Sequence, residues 1–339
     1  MKVREGDIIE DLNGIIFDVK GLVHPPAKAI AFPRFIPDIQ GNRIKERATY
    51  KKIYGISERF EFLKQNFPQY IVHDQVFNEE LCEVPKEKVK NHYQPIKRLR
   101  QLQNRERLDN LEKDALSFLE LLKEQTGIPW SKMGISGSLL VKLHTVNSDI
   151  DPIIYGSENC RQAYAALKAL TQDTKSKVKA YTQEELCKLY VFRVKDTVMS
   201  FEDFMRTESR KALQGKFKTR DYFVRFIKDW NEIQEEYGKT QYRNVGYTRI
   251  KAEVADDSEA IFTPCTYKLK NVKILSGMCI NQIEEIASFR GRFCEQARNG
   301  ETVIAQGKVE QVTDRKQNRE YFRLLLGNKP SDYMLLASS

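Results

Sequence analysis

Near residue 245 the hydrophobic period of the chain changes. Before that point apolar side chains return every three or four positions. From Tyr247 to Val254 they alternate instead, with Tyr247, Arg249, Lys251 and Glu253 on one side and Thr248, Ile250, Ala252 and Val254 on the other. A period of 3.6 belongs to a helix and a period of 2 to a half-buried strand. One chain carrying both in separate blocks is neither all-α nor all-β, and we expect an α+β protein. Further short strands are expected at 302–306, 307–312 and 321–326, with Asn299-Gly300 and the polar stretch 314–318 as turns. Short strands with such turns predict a small barrel or sandwich at the C-terminal end.

The first 40 residues also read as β. Ile8-Ile9 and Ile15-Ile16-Phe17 flank Asn13-Gly14, a pair suited to a type I′ hairpin, and 29–32 is a further strand after the break at Pro25-Pro26. Between 45 and 105 the chain is polar and few elements can be placed. The basic run Lys97-Arg98-Leu99-Arg100 reads as a solvated helix face. A helix is expected over 106–125, with Leu108, Leu111, Ala115, Leu119 and Leu122 inward and Gly127 and Pro129 as its stop. Others are expected over 158–171, from the Thr182-x-x-Glu185 capping box, from Ser200, and over 219–237, where Phe223, Phe226, Ile227, Trp230 and Ile233 would face inward before Gly238. The expected organisation is therefore a β-rich segment 1–45, a mixed-sheet core with helices over 46–240, and a β-rich module 241–339.

Composition narrows the function classes. The 339 residues hold 56 Lys+Arg against 47 Asp+Glu, a formal charge of +9, which favours polyanionic partners such as nucleic acid or nucleotide phosphates. There is no apolar run near 18 residues, so no membrane helix is expected. The charged start Met1-Lys2-Val3-Arg4-Glu5 has no apolar stretch of the kind a signal peptide needs. Six scattered cysteines, none in a Cys-x-x-Cys pair, read as reduced thiols of a cytoplasmic protein and not as a zinc site.

One stretch carries chemistry: Gly134-Ile135-Ser136-Gly137-Ser138-Leu139-Leu140, then Asn147-Ser148-Asp149-Ile150-Asp151-Pro152-Ile153-Ile154, with ten residues between Ser138 and Asp149. Gly137-Ser138 fits a strand-to-helix turn, where glycine permits close approach and free N–H groups favour phosphate oxygens. On an extended segment Asp149 and Asp151 point to one face, with Cα atoms about 6.6–7 Å apart. Two carboxylates so placed repel each other unless a cation lies between them, and oxygen ligands in pairs suit Mg²⁺ (or Mn²⁺) together with substrate phosphates.

This arrangement resembles the signature of the DNA polymerase β-like nucleotidyltransferase superfamily: a Gly-Ser at a helix start, a spacer, then Asp-x-Asp on a neighbouring strand. The likeness covers residues 133–156. The whole chain is also similar to uncharacterised archaeal proteins predicted to be nucleotidyltransferases, through Asp18-Val19-Lys20-Gly21-Leu22-Val23-His24-Pro25-Pro26, the stretch from Asp256-Asp257 to Pro264-Cys265, and Ser288-Phe289-Arg290-Gly291-Arg292-Phe293. The resemblance implies metal-dependent transfer of a nucleoside monophosphate from an NTP to a hydroxyl acceptor, RNA above all, with release of pyrophosphate. Gly137 and Ser138 would hold phosphates, and Asp149 and Asp151 the metal.

It also implies a third carboxylate on an adjacent strand. Glu253 is one candidate, by strand geometry, and Asp257 at the following turn is the other. Lys211, Lys216, Lys218 and Arg220, with Arg210, Arg225 and Lys228, form a basic cluster able to neutralise a triphosphate. Phe289 and Phe293 read as core, with Arg290 and Arg292 exposed. Pro152 departs from the aliphatic strand usual after Asp-x-Asp, because proline cannot donate to a sheet ladder. The alternatives are a non-catalytic RNA- or nucleotide-binding protein on a degenerate scaffold of this kind, or a structural subunit of a larger complex. Neither the NTP nor the oligomeric state is legible.

Overall fold

The computed structural model describes residues 1–195, 197–280 and 282–337. It is an α+β protein built as two compact units whose segments interleave along the chain. Residues 1–72, 80–179 and 212–234 form the first, and 73–79, 180–211 and 235–339 the second.

The first unit opens with an antiparallel sheet. Its strands are β1 (Ile8–Asp11), β2 (Ile16–Val19), β3 (Lys28–Pro37), β4 (Arg43–Lys45) and β5 (Ala48–Lys52); after helix α1 (Ile56–Asn66) come β6 (Ile71–Asp74), β7 (Glu79–Pro85) and β8 (Val89–Tyr93). The order is β4-β5-β3-β2-β1-β8, and β7 pairs with the start of β3. One face buries Ile9, Phe17, Val19, Ala31 and Val84 with Leu63 of α1. The Asn13-Gly14 turn is present, but Asn13 keeps a negative φ and only Gly14 is left-handed, at +79°. Asp11 decides its geometry: Oδ1 accepts from the N–H groups of Asn13 (3.0 Å) and Ile15 (2.9 Å), an Asx turn in place of type I′.

Behind this sheet lie α2 (Pro95–Gln103), α3 (Asn110–Thr126), β9 (Met133–Ile135), α4 (Gly137–Leu140), β10 (Pro152–Tyr155), α5 (Ser157–Gln172), β11 (Val178–Lys179), β12 (Gln214–Phe217), β13 (Arg220–Phe223) and β14 (Arg225–Ile227). Strand β10 pairs antiparallel with β9 and parallel with β14, while β12 joins β11 to β13. A parallel bridge between Ile150 and Tyr222 links the two groups into one mixed sheet. Helix α3 covers one face, where the Phe118 ring stacks on Phe217 at 4.8 Å and tilts against Tyr222 at 4.9 Å. Gly127 closes the helix as expected, at φ +72°, but its start, where Asp109 and Glu112 form a capping box, lies later than 106.

The second unit holds α6 (Gln183–Arg193), α7 (Phe201–Glu208) and the strands β15 (Thr240–Asp256), β16 (Cys265–Gly277), β17 (Ile283–Ser288), β18 (Thr302–Asp314), β19 (Arg319–Leu326) and β20 (Tyr333–Leu336). Helix α6 starts on the Thr182–Glu185 box and α7 on a Ser200 cap. Pairing runs β15-β16-β17-β19-β18, and β18 returns to β15, so among the described residues five strands close a barrel and β20 lies at its edge. Ile250, Ala252, Val254, Val303, Ala305, Val309 and Leu324 are buried in this unit.

Two expectations are corrected. Residues 219–237 form β13, β14 and turns, not a helix. Tyr222, Val224 and Phe226 are all buried, so the segment has a period of 2 that its 3.6-fold pattern concealed, and pairing with Ile150 and β10 selects the strand. Arg98 is not solvated. It is 2% exposed, its Nη2 donates to Glu112 (2.8 Å) and its Nε to the Leu139 carbonyl (2.8 Å). All six cysteines are free. Among the described residues no helix is long and apolar enough to cross a membrane.

Candidate functional site

Strand β9 delivers the chain to Ser136, whose N–H donates to the Asp151 carbonyl (2.9 Å) and whose Oγ donates to the Gly6 carbonyl (2.7 Å). These bonds hold the start of α4 beside the acidic segment. Ile150 is clamped from the other side, its N–H donating to the Asp221 carbonyl (2.9 Å) and its own carbonyl accepting from Phe223 (3.0 Å). With Ile150 held in the sheet and buried, Asp149 and Asp151 both fall on the opposite side, half-buried. Pro152 is the first residue of β10, opposite Ile135, a position where a strand tolerates proline.

Gly137 and Asp151 touch. Gly137 has φ +61°, and a Cβ there would stand 1.8 Å from Asp151 Oδ2. Ser138, one residue on, is 3% exposed, and among the described residues its Oγ has no hydrogen-bond partner. Burial, and next to it the charge of Asp149, push the Asp151 carboxyl up to about 7, although Arg225, Lys52 and Arg34 pull the other way. The protein thus leaves negative charge at this point under-compensated. A like-charged oxygen pair beside an orphaned buried hydroxyl fits a divalent cation such as Mg²⁺.

Strand register adds an acid that the sequence reading missed. The Ile150–Tyr222 bridge and the Ile153–Arg225 pairing share one register, which sets Asp221 opposite Asp149 and places Arg225 on the same side as Asp151. Asp221 is exposed, and Lys216 Nζ lies 2.9 Å from its Oδ1. Lys216 therefore joins this side of the sheet. Lys218 and Arg220 do not: both are ion-paired with Asp114 of α3, at 2.6 and 2.8 Å.

The remaining candidates lie in the second unit. Lys211 is 6% exposed, and its ammonium reaches Glu208 (2.6 Å), Gln296 (3.0 Å) and the Arg292 carbonyl (2.7 Å). Glu253, on β15, is bound by Lys270 (2.8 Å) and Asn271 (3.0 Å). Asp257 starts a turn in which its carbonyl accepts from Ala260 (2.9 Å). Neither acid is on the sheet that carries Asp151. Phe293 is buried as expected, while Arg290 and Arg292 are half-buried, and Arg292 donates to Thr197 (2.8 Å).

A second set of cations, from the N-terminal sheet, lies in the same unit as the acid pair. Asp18 of β2 is shared by Arg34 Nε (3.5 Å) and Arg59 Nη2 (3.8 Å). Burial would raise the Asp18 carboxyl, but Arg34, Lys20, Arg59 and Arg225 together hold it down at about 2. Glu5, fully buried, accepts from Lys20 (3.2 Å), Arg225 (3.2 Å) and the Gly21 N–H (2.8 Å). One further cluster has metal-like composition, Asp109, Glu112 and His144. Its oxygens are already used, by the α3 cap, by Arg98 and Arg105, and by His144 at 2.7 Å, so helix capping accounts for it.

The chain is 35% identical over 338 residues to the uncharacterized protein MJ1086 of Methanocaldococcus jannaschii, with 96% of each chain covered. It belongs to the family of that archaeal protein. No family model matches the chain, and no solved structure does.

Proposed function

We propose that the protein is a cytoplasmic nucleotidyltransferase of the DNA polymerase β-like kind, moving a nucleoside monophosphate from an NTP to a hydroxyl acceptor with release of pyrophosphate. The observation that carries this reading is the contact of Gly137 with Asp151, with Asp149 on the same side of a mixed parallel–antiparallel sheet. Asp149 and Asp151 would hold Mg²⁺ or Mn²⁺. The divalent ion, when bound, lowers the pKa of the acceptor hydroxyl and neutralises charge on the departing pyrophosphate. Ser138 meets a phosphate oxygen with a hydroxyl that has no hydrogen-bond partner among the described residues, and Gly137 keeps the approach open.

For the third carboxylate, Glu253 and Asp257 stand from the sequence and Asp221 from the register. Of the three, only Asp221 lies in the same unit as Asp149 and Asp151. The acceptor is RNA, a reading supported by the net charge of +9 and by Arg249, Lys251 and Lys273, exposed on adjacent strands of the barrel unit.

The test is incubation of the purified protein with each labelled NTP, Mg²⁺ or Mn²⁺, and total RNA. Label should appear in RNA with wild type and vanish with Asp149→Asn. Asp221→Asn, Glu253→Gln and Asp257→Asn, assayed side by side, identify the third acid by which one abolishes transfer. Full transfer by Asp149→Asn overturns the reading. Metal-dependent NTP binding without transfer to RNA, protein or nucleotide favours the non-catalytic alternative.

A further inference from the structure

The tail of an NTP carries several ionised phosphoryl groups, and a site for it must supply cations that are not already neutralised. The basic run 210–220 does this poorly. Lys211 is buried among Glu208, Gln296 and a carbonyl, and Lys218 and Arg220 are taken by Asp114.

The N-terminal sheet is arranged differently. Lys52 pairs across strands with Phe35, so the two share a face. Phe35, with Ile8, Ile16 and Tyr50, packs against Leu140, Val141 and Leu143, the residues that follow Gly137-Ser138. That apolar seat fixes the sheet against α4 and sets Lys52 on the face that carries it. Lys52 is half-buried and makes no ion pair among the described residues; its ammonium lies 4.7 Å from the centre of the Tyr54 ring. Arg34 lies 5.0 Å from the same ring. Arg34 and Arg59 share one carboxylate, Asp18, and Lys20 and Arg225 share another, Glu5. Lys52 and Arg34 thus stand beside one ring, and Arg225 stands on the same side of the central sheet as Asp151.

We propose that Lys52, Arg34 and Arg225 receive the triphosphate tail of a nucleoside triphosphate, so that the N-terminal sheet forms the anion-binding half of the site. The inference rests on the nucleotidyl-transfer reading of Asp149 and Asp151 and deepens it. The guanidinium groups can pair with phosphate oxygens in two-point fashion, and Lys52 supplies a point charge.

Calorimetric titration with magnesium tripolyphosphate tests it on the full-length protein. Lys52→Gln should bind at least about tenfold more weakly, the weight of one charge-assisted hydrogen bond. Lys52→Arg should restore binding, and Lys168→Gln, an exposed charge on α5, should bind as wild type. Arg34→Gln, checked for an unchanged melting temperature, should weaken binding as Lys52→Gln does. Wild-type affinity in both Lys52→Gln and Arg34→Gln overturns the proposal, as does a wild-type protein that does not bind the probe. If binding falls in Lys52→Gln but wild type transfers no nucleotide, the transfer reading fails and this inference stands. If transfer proceeds with an unchanged KM in Lys52→Gln, the inference fails and the transfer reading stands.

Discussion

The Asp151 carboxylate rests on the bare Cα of Gly137, with Oδ2 only 1.8 Å from where a side chain would begin. Glycine is needed here twice over, once for this contact and once for its φ of +61°. Gly137→Ala must therefore move the carboxylate or distort the start of α4. Backbone strain alone costs about 1 kcal/mol. We expect transfer to fall at least about a hundredfold, as for a misplaced catalytic group, while the fold persists. Label transfer and a thermal melt on the same preparation check this. An active Gly137→Ala enzyme would show that the contact is incidental.

Asp149→Asn should abolish transfer and yet make the metal-free protein no less stable. Asp149 raises the Asp151 carboxyl by repulsion, so removing its charge relieves a conflict that the fold sustains without metal. In EDTA the melting temperature should be equal to or above that of wild type. Added Mg²⁺ or Mn²⁺ should stabilise wild type by linkage and leave Asp149→Asn unmoved. A metal-dependent shift of equal size in both proteins would place the ion elsewhere.

The acid pair was legible because its residues are local in sequence: Gly-Ser, a spacer and Asp-x-Asp lie within 15 positions and keep their relation whatever surrounds them. Helices with explicit caps, such as α6 on Thr182 and Glu185, were legible for the same reason. What register assembles was not. Arg34, Lys52 and Arg59 come from two strands and a helix, and Asp221 meets Asp149 only through the Ile150–Tyr222 bridge. Conversely, Lys216, Lys218 and Arg220 look like one cluster along the chain, yet the β12–β13 hairpin sends Lys216 to Asp221 and the other two to Asp114. The aromatics of residues 219–237 satisfy both periods, and pairing with Ile150 and β10 decides between them.

His24 makes stability depend on pH over a defined window. Burial, then the charge of Lys86, push its imidazole down to about 4, and Nδ1 accepts a hydrogen bond from the Ile30 N–H at 3.2 Å. The folded state holds the ring neutral, whereas the unfolded chain protonates it near its ordinary value of 6.5. Between those values the unfolded state binds more protons, so stability rises with pH. The contribution is complete above about 6.5 and fades as pH falls toward 4, by at most about 3 kcal/mol. Asp151, raised to about 7, acts in the opposite sense over the same window, so the His24 share is read as the difference between His24→Gln and wild-type urea midpoints across pH 4–7, which should grow as pH falls. Asp18, held at about 2, weakens the fold only below its ordinary value of 3.8, which separates the two effects. An unchanged slope in His24→Gln would assign the dependence to another group.

Phe118 ties the helical face of the first unit to its central sheet. It is fully buried, stacked on Phe217 and tilted against Tyr222, and Tyr222 is the bridge partner of Ile150 between the two acids. Phe118→Ala removes the ring and leaves a cavity under β12 and β13, at a cost of about 3–5 kcal/mol. Phe118→Leu, which keeps much of the volume, should cost less. Loss of the ring also frees the Tyr222 side of the bridge, so Asp149 loses the support that aligns it with Asp151. Phe118→Ala should therefore lose transfer at temperatures where the unit is still folded, whereas Phe118→Leu should lose stability and activity in step. Denaturation and label transfer measured at several temperatures separate the two, and a Phe118→Ala protein with wild-type stability would contradict the packing described.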